Sequence, residues 1–410
     1  MKLAEVFEEF VGPEADLEFV AYDGSKAGRM GSDVRLEVRS PTAVAALLGA
    51  PGQLGLARAY VSGDLEVTGD LFTAFVRLGE AFQKRIPWRR MPRLAKEFAP
   101  HALHRTEPPP EEISLGGRRH GKQRDAAAIA HHYNVSNAFY EWILGPSMAY
   151  TCAVYPRPDA SLEEAQAEKF DLVCRKLDLR PGQRLLDVGC GWGGMARHAA
   201  EQYGVTVVAV TLSEQQARWG QRMIENAGLS RQVDLRFSDY RDVPETRFDA
   251  VASIGLTEHI GKRNHPAYFA FLRSRLREEG RLLNHCITRT DPTQRTRYRR
   301  SFINRYIFPD GELLHLGHLV ERMEHAALEV HHEENLRQHY AMTLRDWSRN
   351  LEAHWPDAVA EVGQRKARVW RLYLAASRYG FVANMIQLHQ VLTTRTSRQG
   401  QSGMPLRPTW

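Results

Sequence analysis

Long apolar runs are missing from this chain. Nothing in its 410 residues approaches the ~20 consecutive apolar residues of a membrane-spanning helix, so an integral membrane protein is not expected. Cysteine is scarce. Cys152, Cys174, Cys190 and Cys286 have neither metal-ligand spacing nor the density of a secreted disulfide framework, so no metal site is expected and a reducing cytoplasm is. The opening Met1-Lys-Leu-Ala-Glu-Val-Phe-Glu-Glu9 is too acidic, and too short in apolar run, to read as a secretory leader. Repeats and low-complexity tracts are absent too. Acid falls short of base, 49 Asp and Glu against 55 Lys and Arg, and the resulting net charge of +6 leaves room for an anionic partner.

Part of that excess gathers in Lys84-Arg-Ile-Pro-Trp88-Arg-Arg-Met-Pro-Arg93-Leu-Ala-Lys96, where cations interleave with apolar and aromatic residues. Such a mixture suits an anionic membrane surface, where each basic residue contributes about 1 kcal/mol and Trp sits at the headgroup level. A solvated basic helix and a nucleic-acid patch are the alternatives. Composition divides the chain around this segment. Residues 1–85 read as a small N-terminal lipid- or membrane-associated domain, with a strand in Asp33–Arg39 and Asp70 capping a helix that carries Leu71, Phe75, Leu78 and Phe82. Residues 86–124 form a basic, Pro- and Gly-rich linker or lid, and regular strand–helix alternation fills 125–410.

Within that last part, strands are expected at 184–188, 205–211, 233–237, 248–254 and 281–287. Their alternation with helices predicts an α/β fold, a mostly parallel sheet covered on both faces that binds ligands at the carboxyl ends of its strands. After the fifth strand, Arg289–Gly311 reads as a helical insertion. The first of these strands breaks into glycines at 189, 191, 193 and 194, followed by a helical pattern from Met195 to Tyr203. That is a cradle for a nucleotide-type cofactor. A dinucleotide fold would carry an acid at the tip of the next strand, but Thr211-Leu-Ser213 stands there, followed by Glu214. Glycines at alternate positions also favour S-adenosylmethionine over the nicotinamide pattern.

Several further motifs lie at or beyond the strand ends. His132-Tyr-Asn-Val-Ser-Asn-Ala-Phe-Tyr140 and Met148-Ala-Tyr-Thr-Cys-Ala153 precede the glycine loop. Thr211-Leu-Ser-Glu-Gln-Gln216, Asp239-Tyr-Arg-Asp242 and Ile254-Gly-Leu-Thr-Glu-His-Ile-Gly261 follow it, and later come Tyr306-Ile-Phe-Pro-Asp-Gly311 and His339-Tyr-Ala-Met-Thr-Leu-Arg-Asp-Trp347. Together, over about Ala126 to Arg395, they resemble the cyclopropane fatty acid synthase family. The N-terminal part is similar to the extra domain of its longer, phospholipid-acting members.

The resemblance implies a class I methyltransferase, Rossmann-like fold and C-methylation of a cis double bond in an acyl chain. The sulfonium methyl of S-adenosylmethionine is the electrophile, and the resulting carbocation loses a proton to a bound bicarbonate ion. The family's bicarbonate ligands match Cys152, Glu258, His285 and Tyr340. Taken singly, Cys152 reads as a small buried residue and Tyr340 as a core aromatic, whereas Glu258, otherwise an acid at a helix start, is favoured for a site role by its place directly after a strand. His285, inside a strand end, already argues for a polar site. Cofactor contacts are expected from Tyr150, Thr151, Asp187, Gly189, Gly191, Thr211, Leu212, Gln216, Asp239 and Tyr240, with Tyr306, Phe308 and Trp347 as candidates for lining an acyl tunnel. Thr257 departs from the Phe that many cyclopropane-forming members carry before the Glu-His pair, and the family also contains methylene-branch-forming enzymes. Implied partners are an unsaturated phospholipid, an anionic membrane surface contacted from the cytoplasm, a reductase acting on a methylene product, and a second copy of the chain. The rival readings are a nucleic-acid or small-molecule methyltransferase and a non-catalytic lipid-binding protein; no nucleic-acid reader motif is present.

Overall fold

The structure is a computed structural model that describes residues 2–84, 107–113, 115–122, 124, 125, 128, 136–293 and 301–410. The basic 85–96 stretch and His132–Val135 lie outside the described residues. Contacts divide the chain into two units, one of Met1–Ser114, Arg297–Pro309 and Leu351–Tyr379, the other of Leu115–Thr296, Asp310–Asn350 and Gly380–Trp410. The expected division was contiguous; the observed one is not, because stretches that follow the fifth large-sheet strand and the Trp347 motif return to the first unit.

In the first unit, α1 (Leu3–Val11) precedes β1 (Glu18–Ala21), β2 (Lys26–Gly28) and β3 (Arg35–Val38), then α2 (Pro41–Gly49), α3 (Gln53–Ser62), β4 (Leu65–Thr68) and α4 (Leu71–Lys84). The four strands pair in the order β2-β1-β3-β4. β1 and β3 alternate half-buried and buried residues, as a strand with one covered face must. Asp70 caps α4 by accepting from Thr73 N at 3.0 Å and Thr73 Oγ1 at 2.7 Å. Glu112, its side chain 1% exposed, accepts from Nε and Nη2 of Arg58 at 2.8 and 2.9 Å and is paired by Arg305 at 2.5 Å. One buried carboxylate thereby ties together α3, residue 112 and the returning helix Phe302–Tyr306.

The second unit runs through α5 (Asn137–Leu144), α6 (Leu162–Leu177), β5 (Arg184–Val188), α7 (Gly194–Tyr203), β6 (Thr206–Thr211), α8 (Glu214–Asn226), β7 (Val233–Phe237) and β8 (Phe248–Ile254). It continues with α9 (Thr257–Ile260), α10 (His265–Arg275), β9 (Leu276–Arg289), α11 (Leu316–His325), β10 (Glu329–Asn335), α12 (Arg337–Ala353) and β11 (Ile386–Thr394). The sheet order is β10-β11-β9-β8-β5-β6-β7, parallel from β7 to β9 and antiparallel at β11 and β10. This is the expected mostly parallel, doubly covered sheet. β9 is longer than the expected 281–287: it starts at Leu276, paired with Phe248 of β8, and runs on to Arg289 beside β11, which the sequence reading did not foresee. Side-chain alternation splits the core. Leu185, Leu283 and Leu392 pack on one face with Phe170, Val173 and Leu177 of α6, while Leu186, Leu282 and Val391 pack on the other with Phe269 and Leu272 of α10. By the same period of two, Asp187, His285 and Gln390 look toward the α6 face.

The stretch expected to be a linker or lid makes specific contacts where it is described. Arg119 Nε and Arg124 Nε reach Asp310 at 3.1 and 2.6 Å, and His120 lies over Gly261 while its Nδ1 meets His259 O at 3.2 Å. Among the described residues, no helix is long and apolar enough to cross a membrane.

Candidate active site

The strand order reverses at β5, with β6 and β7 on one side and β8 and β9 on the other. Crevices open at the carboxyl ends of such a switch point. Here the chain leaves β5 through Gly189, Gly191 and Gly193, at φ +79°, +55° and +80°, conformations that side chains with a Cβ resist. A Cβ at Gly191 would meet nothing within 4 Å, which leaves that backbone open to a ligand. At the end of β6, Thr211 Oγ1 donates to Gln216 Oε1 at 2.7 Å, and Leu212 beside it is half-buried. At the end of β7, Asp239 accepts from Arg241 N at 2.9 Å and Nε at 2.7 Å. Burial opposes the ionisation of Asp239, but the Arg241 bonds outweigh it and hold the carboxyl below its ordinary pKa. Tyr240 packs edge-on against Tyr268 and Phe271, and burial pushes its hydroxyl up to about 12.

Above β5 and β8 runs a strap, residues 147–152, pinned from both sides. Ser147 O lies 3.0 Å from where a Cβ on Gly194 would stand, and Thr151 Cγ2 lies 2.9 Å from one on Gly255. From α6, Gln166 Nε2 donates to Ala149 O at 3.3 Å and Thr151 O at 3.0 Å, and Lys169 Nζ donates to Thr151 Oγ1 at 2.9 Å. Tyr150 rests its ring against Tyr140 and Trp347, with centroids 5.9 and 5.4 Å away. Lys169 and Asp187 are both fully buried, and burial drives each toward its neutral form, partly offset by their mutual attraction. Asp187 Oδ2 is buried without a hydrogen-bond partner, a costly condition for a polar atom. The sequence reading missed Gln166 and Lys169. Their signal was a polar pair on the apolar stripe of α6 that also carries Ala165, Phe170 and Val173.

The four dispersed candidates reach the same end of the sheet on separate elements. Glu258, on the short α9 just past β8, accepts from Ile287 N at 2.6 Å through Oε1, while Oε2 is buried and unpartnered. Burial pushes its carboxyl up to about 7. His285 lies in β9, and its carbonyl accepts from Gly255 N at 2.8 Å. Its Nε2 is buried and unpartnered, and burial, reinforced by Lys169 and Lys176, pushes its pKa well below the ordinary value. Cys152 Sγ turns to Ala153 O at 3.2 Å and Leu336 O at 3.8 Å, and burial raises its thiol pKa. Leu336 O also accepts from Tyr340 N at 3.1 Å, which sets Tyr340 one turn into α12 from the cysteine's contact. Buried Tyr340 packs its ring on Phe381 and Trp347, at 4.5 and 6.1 Å. Burial thus disfavours the charged forms of Glu258, His285 and Cys152, in a dry setting that strengthens any contact with a bound charge.

The profile of the mycolic acid cyclopropane synthetase family matches residues 120–391, well over half of the chain. The chain belongs to that family. A probable fatty acid methyltransferase of Mycobacterium tuberculosis is 52% identical across 100% of this chain and 98% of its own. The cyclopropane-fatty-acyl-phospholipid synthase of Escherichia coli K12 is 37% identical, over 66% of this chain and 68% of its own. Among solved structures, the M. tuberculosis cyclopropane synthase MmaA2 aligns with a TM-score of 0.63 at 32% identity, covering 67% of this chain and 99% of its own. The mycolic acid cyclopropane synthase CmaA1, complexed with SAH and CTAB, aligns with a TM-score of 0.62 at 33% identity, over 65% and 97%. This cyclopropane synthetase-family chain is an S-adenosylmethionine-dependent methyltransferase with the class I fold.

Tyr306 and Phe308 lie in the first unit, where Tyr306 packs on Phe302 and Phe308 on Tyr373. Trp347 lies in the second, fully buried behind Tyr150 and Tyr340. Thr257 donates from Oγ1 to Asn284 Oδ1 at 2.5 Å, and its carbonyl faces His265 Nε2 at 3.3 Å. Among the described residues, no group of His, Cys, Asp and Glu is arranged to hold a metal ion.

Proposed function

We propose that this protein methylates the cis double bond of an unsaturated fatty acyl chain in a phospholipid. The observation that carries the reading is the pair of buried, unpartnered atoms, Glu258 Oε2 and His285 Nε2, set past β8 and in β9 beside the glycine cradle. Asp187, Gly189, Gly191, Thr211, Gln216, Asp239 and Tyr240 would hold S-adenosylmethionine, which supplies an electrophilic methyl group. The unpaired Asp187 oxygen fits its amino group, and the open backbone at Gly191 fits close approach. Glu258, His285, Tyr340 and Cys152 would surround a bicarbonate ion, which supplies the base. Hydrogen-bearing groups in a dry interior fit an anion, because each can donate a hydrogen bond to it.

The π bond forms a C–C bond to the methyl carbon as the sulfonium C–S bond breaks, and the positive charge passes to the neighbouring chain carbon. Loss of a proton from the new methyl with ring closure gives a cyclopropane. A hydride shift before that loss gives an exocyclic methylene. Both products add one CH2 to the lipid, so NMR must separate them, by ring methylene protons or vinylidene protons. Thr257, tied to Asn284, stands where many cyclopropane-forming members carry a Phe, and the reading therefore names both products.

Cells supplied with oleate and expressing the protein should accumulate one of these acyl chains. Glu258→Gln should abolish the product while the purified variant still binds S-adenosylhomocysteine. A variant that retains full activity would remove Glu258 from the reaction. The basic 84–96 sequence further supports peripheral contact with anionic lipid. The full chain should sediment with vesicles containing phosphatidylglycerol, and release with salt; equal, negligible recovery with neutral and anionic vesicles would contradict this.

A further inference from the structure

Behind His285, on the side away from its unpartnered Nε2, lies a polar row that none of the chemistry above uses. Register sets it out: Glu334 of β10 pairs with Gln390 of β11, and Gln390 pairs with His285 of β9. Directly opposed residues on adjacent strands share one face, so the three side chains stand side by side. From α6, Lys176 reaches this face and is fully buried. Its Nζ is ion-paired with Glu334 Oε2 and donates to Gln390 Oε1 at 2.7 Å. Gln390 Nε2 lies 3.2 Å from His285 Nδ1, and Gln390 is itself fully buried.

Hydrogen-bond inventory fixes the direction of every link. An ammonium only donates, so the Gln390 carbonyl must face Lys176. The amide nitrogen must then face the imidazole, and an amide nitrogen also only donates. His285 Nδ1 is left as an acceptor, and the ring proton must sit on Nε2. We propose that Glu334, Lys176 and Gln390 are positioning residues that lock His285 in the neutral Nε2–H tautomer, so that it offers a hydrogen bond to its ligand and takes no proton. The proposal rests on His285 belonging to the site described above, and it refines that site, since a donor suits an anion and a bare nitrogen does not. Burial and the positive charges of Lys169 and Lys176 act in the same direction by keeping the ring neutral. Burial holds the Lys176 pKa below its ordinary value, while its bond to Glu334 opposes that shift and favours the ammonium.

The tautomer can be read in the ligand-free, full-length protein labelled with ring-15N histidine, the His285 signals being assigned by their loss in His285→Gln. The expected spectrum shows an unprotonated Nδ1 and a protonated Nε2 that do not titrate between about pH 6 and 8. Gln390→Glu replaces the donor with an acceptor and should move a proton onto Nδ1. Methyl transfer should fall by at least about tenfold, with S-adenosylhomocysteine affinity within about twofold of wild type. Lys176→Met, which removes the lock and keeps the amide, should show both tautomers. A wild-type His285 protonated on Nδ1, or one that titrates in that range, would overturn the proposal, and so would an unprotonated Nδ1 in Gln390→Glu. Because the wild-type spectrum involves no lipid, it stands or falls separately from the lipid-methylation reading.

Discussion

Glu258 sits at the centre of the account because its environment does two things at once. One oxygen is fixed by Ile287 N, and the other is left without a partner in a buried place. Burial raises its pKa from 4.5 to about 7. The sign follows from linkage: between those values the folded state holds a proton that the unfolded state has lost, so stability falls as pH rises. The ligand-free protein therefore loses roughly 3 kcal/mol from this group between pH 4.5 and 8. Glu258→Gln lacks that loss, so denaturant unfolding should find it more stable than wild type at pH 8, with the gap closing toward pH 4.5. A gap independent of pH would show that Glu258 ionises as freely as in the unfolded chain. The glutamate was legible in the sequence from its place after a strand, and the cysteine and tyrosine only from their motifs. Lys169 was not read at all, although a lysine on an apolar helical stripe was the visible sign of a buried amine, here bonded to Thr151.

At the scale of elements, the strap at 147–152 is what joins the cofactor end of the site to Cys152. It is held by α6 through Gln166 and Lys169, and it leaves no space above Gly194 or Gly255. Gly194→Ala would set a methyl group about 3 Å from Ser147 O and against the Phe170 ring, with backbone on one side unable to yield cheaply. The variant should bind S-adenosylhomocysteine at least about tenfold more weakly by calorimetry, a loss of about 1.4 kcal/mol. Unchanged affinity would show that the strap does not shape the cofactor pocket. Strands β5, β7 and β8 fell on the expected residues because short apolar runs bounded by turn residues mark buried parallel strands. β11 escaped because Ile386-Gln-Leu-His-Gln-Val-Leu-Thr-Thr394 carries polar residues at its centre. Those residues are the point: Gln390 is buried opposite His285, and only the register of an antiparallel pair reveals it.

Over the whole molecule, the chain's division into two units rests on long-range returns that no local pattern announces. Glu112 is the clearest case, one carboxylate neutralised by Arg58 from the N-terminal stretch and by Arg305 from 193 residues further on. Removing one partner from such a buried set leaves uncompensated charge. Glu112→Gln should lower unfolding free energy by about 3 kcal/mol, whereas an exposed ion pair would cost under about 1 kcal/mol. The doubly covered sheet and the glycine cradle were readable from strand–helix alternation, the strand order that sets the switch point at β5 was not, and the lipid reading came from motifs spread over the chain.

The most direct measurement follows the methyl group. Purified protein is incubated with vesicles of dioleoyl phosphatidylglycerol and S-adenosylmethionine labelled with 13C in its methyl carbon, and the extracted lipid is examined by NMR. The account predicts one labelled carbon per S-adenosylhomocysteine formed, bonded within the acyl chain as a ring methylene or an exocyclic methylene. Label confined to the headgroup, or unlabelled lipid from protein that binds S-adenosylhomocysteine, would contradict it.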